Sequence, residues 1–519
     1  MSVGTATPDL RRSAARAPAA HTRAVLADPA ALTVAALTLL GAFLRFYRLG
    51  HQGFWFDEAN TALLVHFSPG KMLGLIPQTE STPPLYYCVA WVWARIFGYG
   101  ETALRSLSAL CGVLMIPVAY LAGRKLISVR AGVIAAALTA CSPLLIWYSQ
   151  EARSYQLLAL LAALSLLAFA HSLHRPTRRS LAAWVVACAL ALATHYYAVL
   201  AVVPEAIWLL VAHRRRRSVQ VAFGVVALCG IGLIPLAVSQ HGTGRSNWIA
   251  HAPFGRRLGQ ILPQFAAGFD GPAHSVLEPL AVAILVLSVI LVVARSGADS
   301  RRGALIAAGL ALAGLLLSLV LVAVGFDDLL TRNMLAIWTP AALFVAGGLA
   351  APRARVVGLL LAVALCGIGV VTAAGVAFHR KYERPDWRVV AAALGPRGHA
   401  GERAILVQHY RDLLPLSLYM RGLHFIGHRG ATVSEFDVVS FTSPSSAGFC
   451  WWGSACNLWP SRMQTSYSVA GFRPVSERHT LQFTVLRLVA SHPVRLTPAE
   501  VSRVLTATKL RNDELLIQR

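Results

Sequence analysis

Phe54-Trp55-Phe56-Asp57-Glu58 stands directly behind the first long apolar run of the chain. Two adjacent carboxylates thus follow an aromatic triplet at the depth where a membrane surface is expected. Ionisable groups are costly at that depth and by default mark a functional site. A local reading stands beside it: Asp57 can cap a helix that continues Glu58-Ala59-Asn60-Thr61-Ala62. Capping and chemistry are compatible, so the rest of the chain has to decide.

The chain holds 519 residues, of which 56% are hydrophobic and 13% charged. Mean hydropathy is +0.58. Several apolar runs reach the roughly 20 residues that a helix needs to cross a bilayer. The chain therefore reads as a polytopic α-helical membrane protein. Its net charge of +24 raises nucleic acid as a partner. Many basic residues, however, sit in short loops between apolar runs. That is the pattern of cytoplasmic loops facing anionic headgroups, so membrane lipids are expected and nucleic acid is not. Residues 1–30 are polar and Arg-dotted, without an apolar core ahead of a cleavage site. They read as a disordered cytoplasmic segment before an uncleaved anchor helix.

The first span covers 31–49, where Arg45 and Arg48 are placed to snorkel toward headgroups. The loop at 51–102 holds two short apolar pieces, 59–67 and 85–97, the second introduced by Ser81-Thr82-Pro83-Pro84. If 85–97 does not cross, spans follow near 104–123, 131–148, 155–173, 181–193, 197–212, 219–238, 277–293, 303–324, 334–350 and 356–378. Arg124-Lys125, Arg178-Arg179, the run 214–217, Arg301-Arg302 and Arg353 then share one face. The positive-inside rule makes that face cytoplasmic. A crossing at 85–97 would move nearly all of these outside, so it reads as a juxtamembrane or re-entrant helix. The expected count is about 11 transmembrane helices, with juxtamembrane helices in the first outer loop.

The opposite face collects Asp57-Glu58, Glu151-Ala152-Arg153-Ser154-Tyr155, His195-Tyr196-Tyr197 and Asp327-Asp328 with Arg332-Asn333. These read as one polar site facing outward. A pore would place such groups at mid-helix. Ordinary interfacial polarity is the competing reading and suits Tyr196, Trp208 and Trp248.

The chain divides into residues 1–30, a membrane domain at 31–378 and a soluble tail at 379–519, long enough for a small α/β domain. Strands are expected near 404–408, 436–440 and 480–488, and helices near 389–394 and 413–420. Thr497-Pro498-Ala499-Glu500 is a capping box with Pro at the first helical position, so a last helix is expected to about residue 510. An odd span count puts this domain outside the cytoplasm. There Cys450 and Cys456 can form a disulfide around Trp451-Trp452; two buried thiols are the alternative. The other six cysteines lie in apolar segments as packing residues.

A carboxylate such as Asp57 can take the proton of a hydroxyl as its oxygen attacks an activated carbon. A phosphate leaving group then needs arginine, which binds phosphate in a bidentate way, and Arg153 and Arg332 are the candidates. A lipid-borne phosphate would explain a site at the membrane edge.

Several strings follow in order: the aromatic-flanked Asp57-Glu58, Pro83-Pro84-Leu85-Tyr86-Tyr87, Gly98 with Glu101, and Leu104-Arg105-Ser106-Leu107-Ser108. Ser142-Pro143-Leu144 and Tyr148-Ser149-Gln150-Glu151-Ala152-Arg153-Ser154-Tyr155 come next. Together they resemble the GT-C superfamily of membrane glycosyltransferases. The branch is that of glycosyltransferase family 39, the protein O-mannosyltransferases, the aminoarabinose transferases and the rhizobial lipopolysaccharide glycosyltransferases. Arg332-Asn333-Met334-Leu335 with Pro340 is similar to the later Arg-Tyr-Leu…Pro segment, with Asn in place of Tyr, and Asp386-Trp387-Arg388 is also similar to that branch. The resemblance is carried by residues 40–160; 180–325 adds only hydropathy.

The resemblance implies an inverting glycosyltransferase. It would move a monosaccharide, mannose among the options, from a polyprenyl-phosphate donor to an extracytoplasmic glycan, glycolipid or protein. It assigns the catalytic role to Asp57 and places Glu58, Glu151, Arg153 and Arg332 near donor or acceptor. Tyr155 and His195 belong to the same outer set as substrate contacts. Some relatives use a divalent cation, Mg or Mn, and Asp57, Glu58 and Glu151 supply suitable oxygens; others use none. Two alternatives remain: a transporter or flippase of lipid-linked glycans, which would place charged or broken helices at the midplane, and an O-antigen-ligase-like glycan transferase, which would lean on arginines and a histidine.

Overall fold

The computed structural model describes residues 28–396, 402–407, 413–441, 469–480, 483–505 and 514–519. The expected disordered segment before residue 28, the Cys450–Cys456 bridge and the end of the last helix lie outside the described residues.

Helix α1 (Pro29–Phe46) starts on Asp28, whose Oδ1 accepts from the Ala30 N–H at 3.0 Å. The first loop folds into α2 (Phe56–Leu64), α3 (Pro69–Thr79) and α4 (Leu85–Phe97). At 13 residues, α4 is only about 20 Å long and too short to cross. Long helix α5 (Glu101–Leu126) follows, then α6 (Val129–Cys141) and α7 (Pro143–Ser149). The bundle continues through α8 (Tyr155–Ser172), α9 (Arg178–Thr194), α10 (Val199–Ala212), α11 (Arg217–His241), the short α12 (Asn247–Ala250) and α13 (Phe254–Ala267). It closes with α14 (His274–Arg295), α15 (Ala298–Ala323), α16 (Trp338–Leu349) and α17 (Arg355–Phe378).

Every expected span coincides with a helix or a broken pair of helices. Among the described residues seven helices are long and apolar enough to cross a membrane, eight if the bent pair α6–α7 counts as one. Helix α8 is 78% buried over its span window, whereas α11 is 11% buried. So α8 is the centre of the bundle and α11 its lipid-facing rim, with Val221, Leu228 and Ile231 turned outward. This is a multi-pass membrane protein.

The break between α6 and α7 shows how local chemistry shapes the bundle. Pro143 has no N–H to continue the helix, and Ser142 caps the new one by accepting from the Leu145 N–H at 3.3 Å. The two helices bend by 55°. The carbonyls of Thr139 and Ala140, freed by the break, accept from Arg45 at 2.8 and 2.9 Å. Arg45 is therefore fully buried and does not snorkel, a correction to the expectation from sequence. Close approach at the next crossing rests on Gly123 and Gly132, since a β-carbon on Gly132 would sit 2.5 Å from the Tyr120 carbonyl oxygen.

Glu205, in the middle of α10, is an ionisable group that the sequence pattern did not single out. Its carboxylate accepts from Ser165 Oγ at 3.2 Å and Trp184 Nε1 at 2.9 Å. Both carboxylate oxygens are satisfied by neutral donors on α8 and α9, as a buried polar group requires.

After α17 the described residues build α18 (Trp387–Leu394), α19 (Leu413–Tyr419), α20 (Pro498–Leu505) and six strands. These are β1 (Glu402–Val407), β2 (Leu423–Phe425), β3 (Ala431–Phe441), β4 (Phe472–His479), β5 (Phe483–Leu496) and β6 (Glu514–Gln518). The sheet order is β2-β6-β1-β3-β5-β4. Only β1 and β3 run parallel, in register Ala404↔Phe436; the other neighbours are antiparallel. Apolar clusters fill both faces, one around Trp387, Ile405 and Leu416, the other around Phe436, Leu488 and Val501. This is the small C-terminal α/β domain expected from the hydropathy change. Its helix α19 packs against α2 in the first loop.

Candidate active site

Helix α2 begins at Phe56, with Trp55 in the cap position. Asp57 is thus the second residue of the helix and not its cap, which corrects the local reading. Its carboxylate is free to face outward, where the helix N-terminus favours negative charge. It lines a cavity of about 400 Å³. Asp57 Oδ2 accepts from Arg332 Nη1 at 3.2 Å, and both side chains keep about 15% of their surface exposed.

Glu58, the next residue, points the other way and has no exposed surface. Arg105 donates to it through Nε at 2.7 Å and Nη2 at 2.5 Å, and the Ala152 N–H adds a bond at 2.8 Å. Burial, the largest single influence, disfavours its charge, but Arg105, Arg384 and the Ala152 N–H together outweigh it and hold the carboxyl below the usual glutamate range. The same guanidinium donates to the carbonyls of Leu49, Gln52 and Gly53. Glu58 and Arg105 therefore tie the loop before α2 to α5.

Two similar pairs surround them. Arg153 forks onto Glu80 at 3.0 and 2.9 Å and also reaches the Asp57 carbonyl at 3.2 Å. Glu151 meets Arg384, the guanidinium that leads into the C-terminal domain, at 3.2 Å. Burial raises Glu151 to about 7 against the pull of Arg384. Arg384 also lies 4.0 Å from the centre of the Trp147 ring.

Of the residues expected from sequence, Asp57, Arg153, Tyr155, His195 and Arg332 line one cavity. Glu58 and Glu151 do not line it: each is buried behind the wall on its own arginine, so neither is placed as a substrate contact. His195 Nδ1 accepts from the Tyr197 N–H at 3.2 Å. Burial first, and then Arg332 and Arg153, lower its pKa to about 3, so the ring is neutral at physiological pH. Arg332 lies 5.6 Å from the Tyr155 ring centre and 5.8 Å from that of Trp248. Its loop is braced by Arg257, which forks onto Asp327 at 2.6 and 2.7 Å and reaches the Leu329 carbonyl.

Sequence reasoning missed Glu80, Arg384, Arg257 and the bracing role of Arg105. Arg105 lies inside one of the strings that carry the resemblance, and Glu80 directly precedes Ser81-Thr82-Pro83-Pro84. Their partners stand 47 to 233 residues away, beyond any local pattern. The oxygens suggested for a cation, on Asp57, Glu58 and Glu151, each face a different arginine. Among the described residues no group of three His, Cys, Asp or Glu is placed to hold a metal. The residues present do not fit a cation shared by these three.

The cavity is lined by polar residues, Asp57, Asn60, Glu80 and Arg332 among them, and by apolar residues of the bundle helices, Leu192, Val199, Leu233, Ile234 and Leu321. The apolar lining suits a lipid chain and the polar lining a charged headgroup and a hydroxylated ligand.

A family profile described as dolichyl-phosphate-mannose-protein mannosyltransferase matches residues 81–239. Comparison with the curated proteins finds no significant match. Among solved structures, ArnT from Cupriavidus metallidurans in the apo state is 15% identical, covers 90% of this chain and 98% of its own, and gives a TM-score of 0.53. The same enzyme bound to undecaprenyl phosphate gives 14% identity, 88% and 97% coverage and a TM-score of 0.51. Arabinofuranosyltransferase AftD from Mycobacteria is 18% identical over 89% of this chain and 41% of that one, with a TM-score of 0.46. The chain has the GT-C fold of membrane glycosyltransferases.

Proposed function

We propose that this protein transfers a sugar from a polyprenyl-phosphate donor to a hydroxyl acceptor at the membrane surface, with Asp57 as general base. The observation that carries this reading is the pairing of Asp57 with Arg332 in a cavity lined by both apolar and polar residues. The match to a mannosyltransferase profile and the likeness to an enzyme solved with undecaprenyl phosphate support the donor class.

The donor's lipid lies along the apolar lining and its phosphate meets Arg332. Asp57 then loses its arginine partner and faces the acceptor. Its carboxylate takes the acceptor proton as the acceptor oxygen attacks the anomeric carbon from the side opposite the phosphate. The carbon–oxygen bond to phosphate breaks and the configuration inverts. The phosphate leaves with both electrons of that bond, its charge met by Arg332. His195, being neutral, can hydrogen-bond a sugar hydroxyl without drawing phosphate away from Arg332. Hexose and pentose donors, mannose and arabinose among them, suit this chemistry equally, as do glycan, glycolipid and protein acceptors. The arginine-rich loops face the cytoplasm in this reading, and the cavity and the C-terminal domain face outward.

The test is transfer of label from polyprenyl-phosphate [14C]mannose and [14C]arabinose in membranes that contain wild type or Asp57→Asn at equal amounts. Wild type is expected to transfer from one donor. Asp57→Asn should lose about 10²- to 10⁴-fold in rate, the range of a general base. Equal transfer by both would overturn the role of Asp57.

A further inference from the structure

Tyr419 ends α19, the helix by which the C-terminal domain reaches the bundle. Its hydroxyl is used in both directions. It accepts from the Phe54 backbone N–H at 2.6 Å and donates to Glu101 Oε1 at 2.8 Å. Phe54 lies three residues before Asp57 and is 4% exposed. The segment between α1 and α2 has no regular structure to hold it, so its backbone depends on such contacts. From the bundle side, Arg105 takes the Gly53 carbonyl at 2.9 Å. From the other side there is no room to spare: a β-carbon on Gly53 would sit 2.4 Å from Asp386 Oδ1 and 3.1 Å from the Tyr419 hydroxyl.

The same short helix touches both halves of the molecule. Leu416 belongs to the core of the C-terminal domain, while Leu418 and Tyr419 pack against the core of the bundle. Leu414, one turn earlier, lines the cavity that contains Asp57. Helix α19 is therefore both a wall of the cavity and a brace on the segment that delivers the carboxylate.

We propose that Tyr419 is a positioning residue for Asp57, and that the C-terminal domain is through it a working part of the active site. This rests on the reading of Asp57 as the base. Without the hydroxyl, a buried N–H next to the helix start has no acceptor, and an unmet buried donor is costly. The segment relieves that cost by moving toward water and carries the first turn of α2 with it. A displacement near 1 Å at the reacting groups costs about 10²-fold in rate. Substrate contacts stay in place, so the loss falls on kcat and not on the KM of the donor.

The experiment uses the full chain in three variants. Tyr419→Phe removes only the hydroxyl. Glu101→Ala removes its acceptor and leaves the ring. Glu101→Gln keeps an acceptor oxygen for the hydroxyl and gives up the carboxylate charge, which otherwise acts on Arg105 without a direct bond and on Arg388 at 3.6 Å. Amide hydrogen exchange of the purified protein is followed over residues 53–58. Transfer from polyprenyl-phosphate [14C]mannose and [14C]arabinose is measured in membranes, with Asp57→Asn alongside.

Tyr419→Phe and Glu101→Ala are expected to exchange faster over 53–58, with α8 unchanged. Their kcat should fall about 10- to 100-fold with donor KM unaltered, while Glu101→Gln matches wild type in both readouts. Unchanged exchange and kcat in Tyr419→Phe, with Asp57→Asn inactive, would overturn the positioning role and leave the base standing. A raised KM with intact kcat would overturn it too, by making α19 a substrate contact. Should Tyr419→Phe fail to fold, the difference between Glu101→Ala and Glu101→Gln decides in its place, and no difference overturns the proposal. An active Asp57→Asn would remove the base itself, and the positioning role with it. The exchange data need no substrate, so they test the brace even if neither labelled donor is used.

Discussion

Asp57 and Glu58 are neighbours in sequence and opposites in structure. Glu58 has no exposed surface and is met by two guanidinium nitrogens and a backbone N–H. Asp57 touches Arg332 through one contact at 3.2 Å at the edge of a cavity. The first pair is closed to any newcomer. In the proposed function the second opens when a phosphate takes the place of the carboxylate on Arg332. Glu80 with Arg153 and Glu151 with Arg384 resemble Glu58 with Arg105 in their burial. Three buried pairs thus form a frame, and the less buried pair at the cavity edge is the one that the proposed function uses. Pairs of the same residue types divide into architecture and chemistry according to burial and the number of bonds each makes.

The sharpest way to break this comparison is to remove each acid in turn. Glu58→Ala leaves Arg105 buried without its counter-charge, a change that typically costs about 3–5 kcal/mol. Loss of the folded protein, or a large fall in Tm read by intrinsic fluorescence, is expected. Asp57→Asn should lower Tm less, because Asn keeps the shape and only one contact to Arg332 is weakened, at a cost of about 1–2 kcal/mol. If the two variants melted alike, the division into frame and site would be wrong.

A smaller effect is expected at the second frame pair. Glu80→Gln keeps the shape and removes the charge opposite Arg153, at a cost of about 1–3 kcal/mol for a buried charged hydrogen bond. In Glu80→Leu with Arg153→Met both charges are gone, and much of the stability should return. Thermal melts of the single and double variants measure the coupling. No recovery in the double variant would mean that Arg153 is held by other contacts.

The smallest effect is the pH dependence carried by Glu151. Burial lifts its folded pKa from an ordinary 4.5 to about 7. A raised carboxyl favours the neutral form, so its stabilising share is complete below pH 4.5 and is lost as pH rises toward 7. Relative to Glu151→Gln, wild type should therefore weaken across that interval, by no more than about 3 kcal/mol. Melts of both proteins at several pH values check the sign. A wild type that gains on the variant as pH rises would mean that Arg384 dominates over burial.

Much of the fold is legible in the residues themselves. Hydropathy marks the helical segments of the bundle, and the charge of the loops distinguishes its two ends. The drop in hydropathy after residue 378 marks the C-terminal domain, and its strands fall close to the expected positions. These features depend on runs of neighbouring residues, which a sequence displays directly. The outer-face residues are likewise legible as one set, and nine of them, Asp57, Arg153, Tyr155, His195, Tyr196, Tyr197, Asp328, Arg332 and Asn333, do line the cavity. Which of them face it is not legible. Arg45 is expected at the headgroups and instead seals the carbonyls freed at Pro143. Glu205 escapes notice because one acid in an apolar helix shows nothing of Ser165 and Trp184 on the helices beside it.

The membrane class, the order of the elements and the chemical types gathered at one end of the bundle can be read from the residues in line. They can because hydrophobic length and charge bias act locally along the chain. That Glu58 pairs with Arg105 and Asp57 with Arg332, and that Tyr419 holds the Phe54 backbone from 365 residues away, follows from the packed fold alone. An arginine can satisfy any carboxylate within reach, and reach is set by how the helices pack.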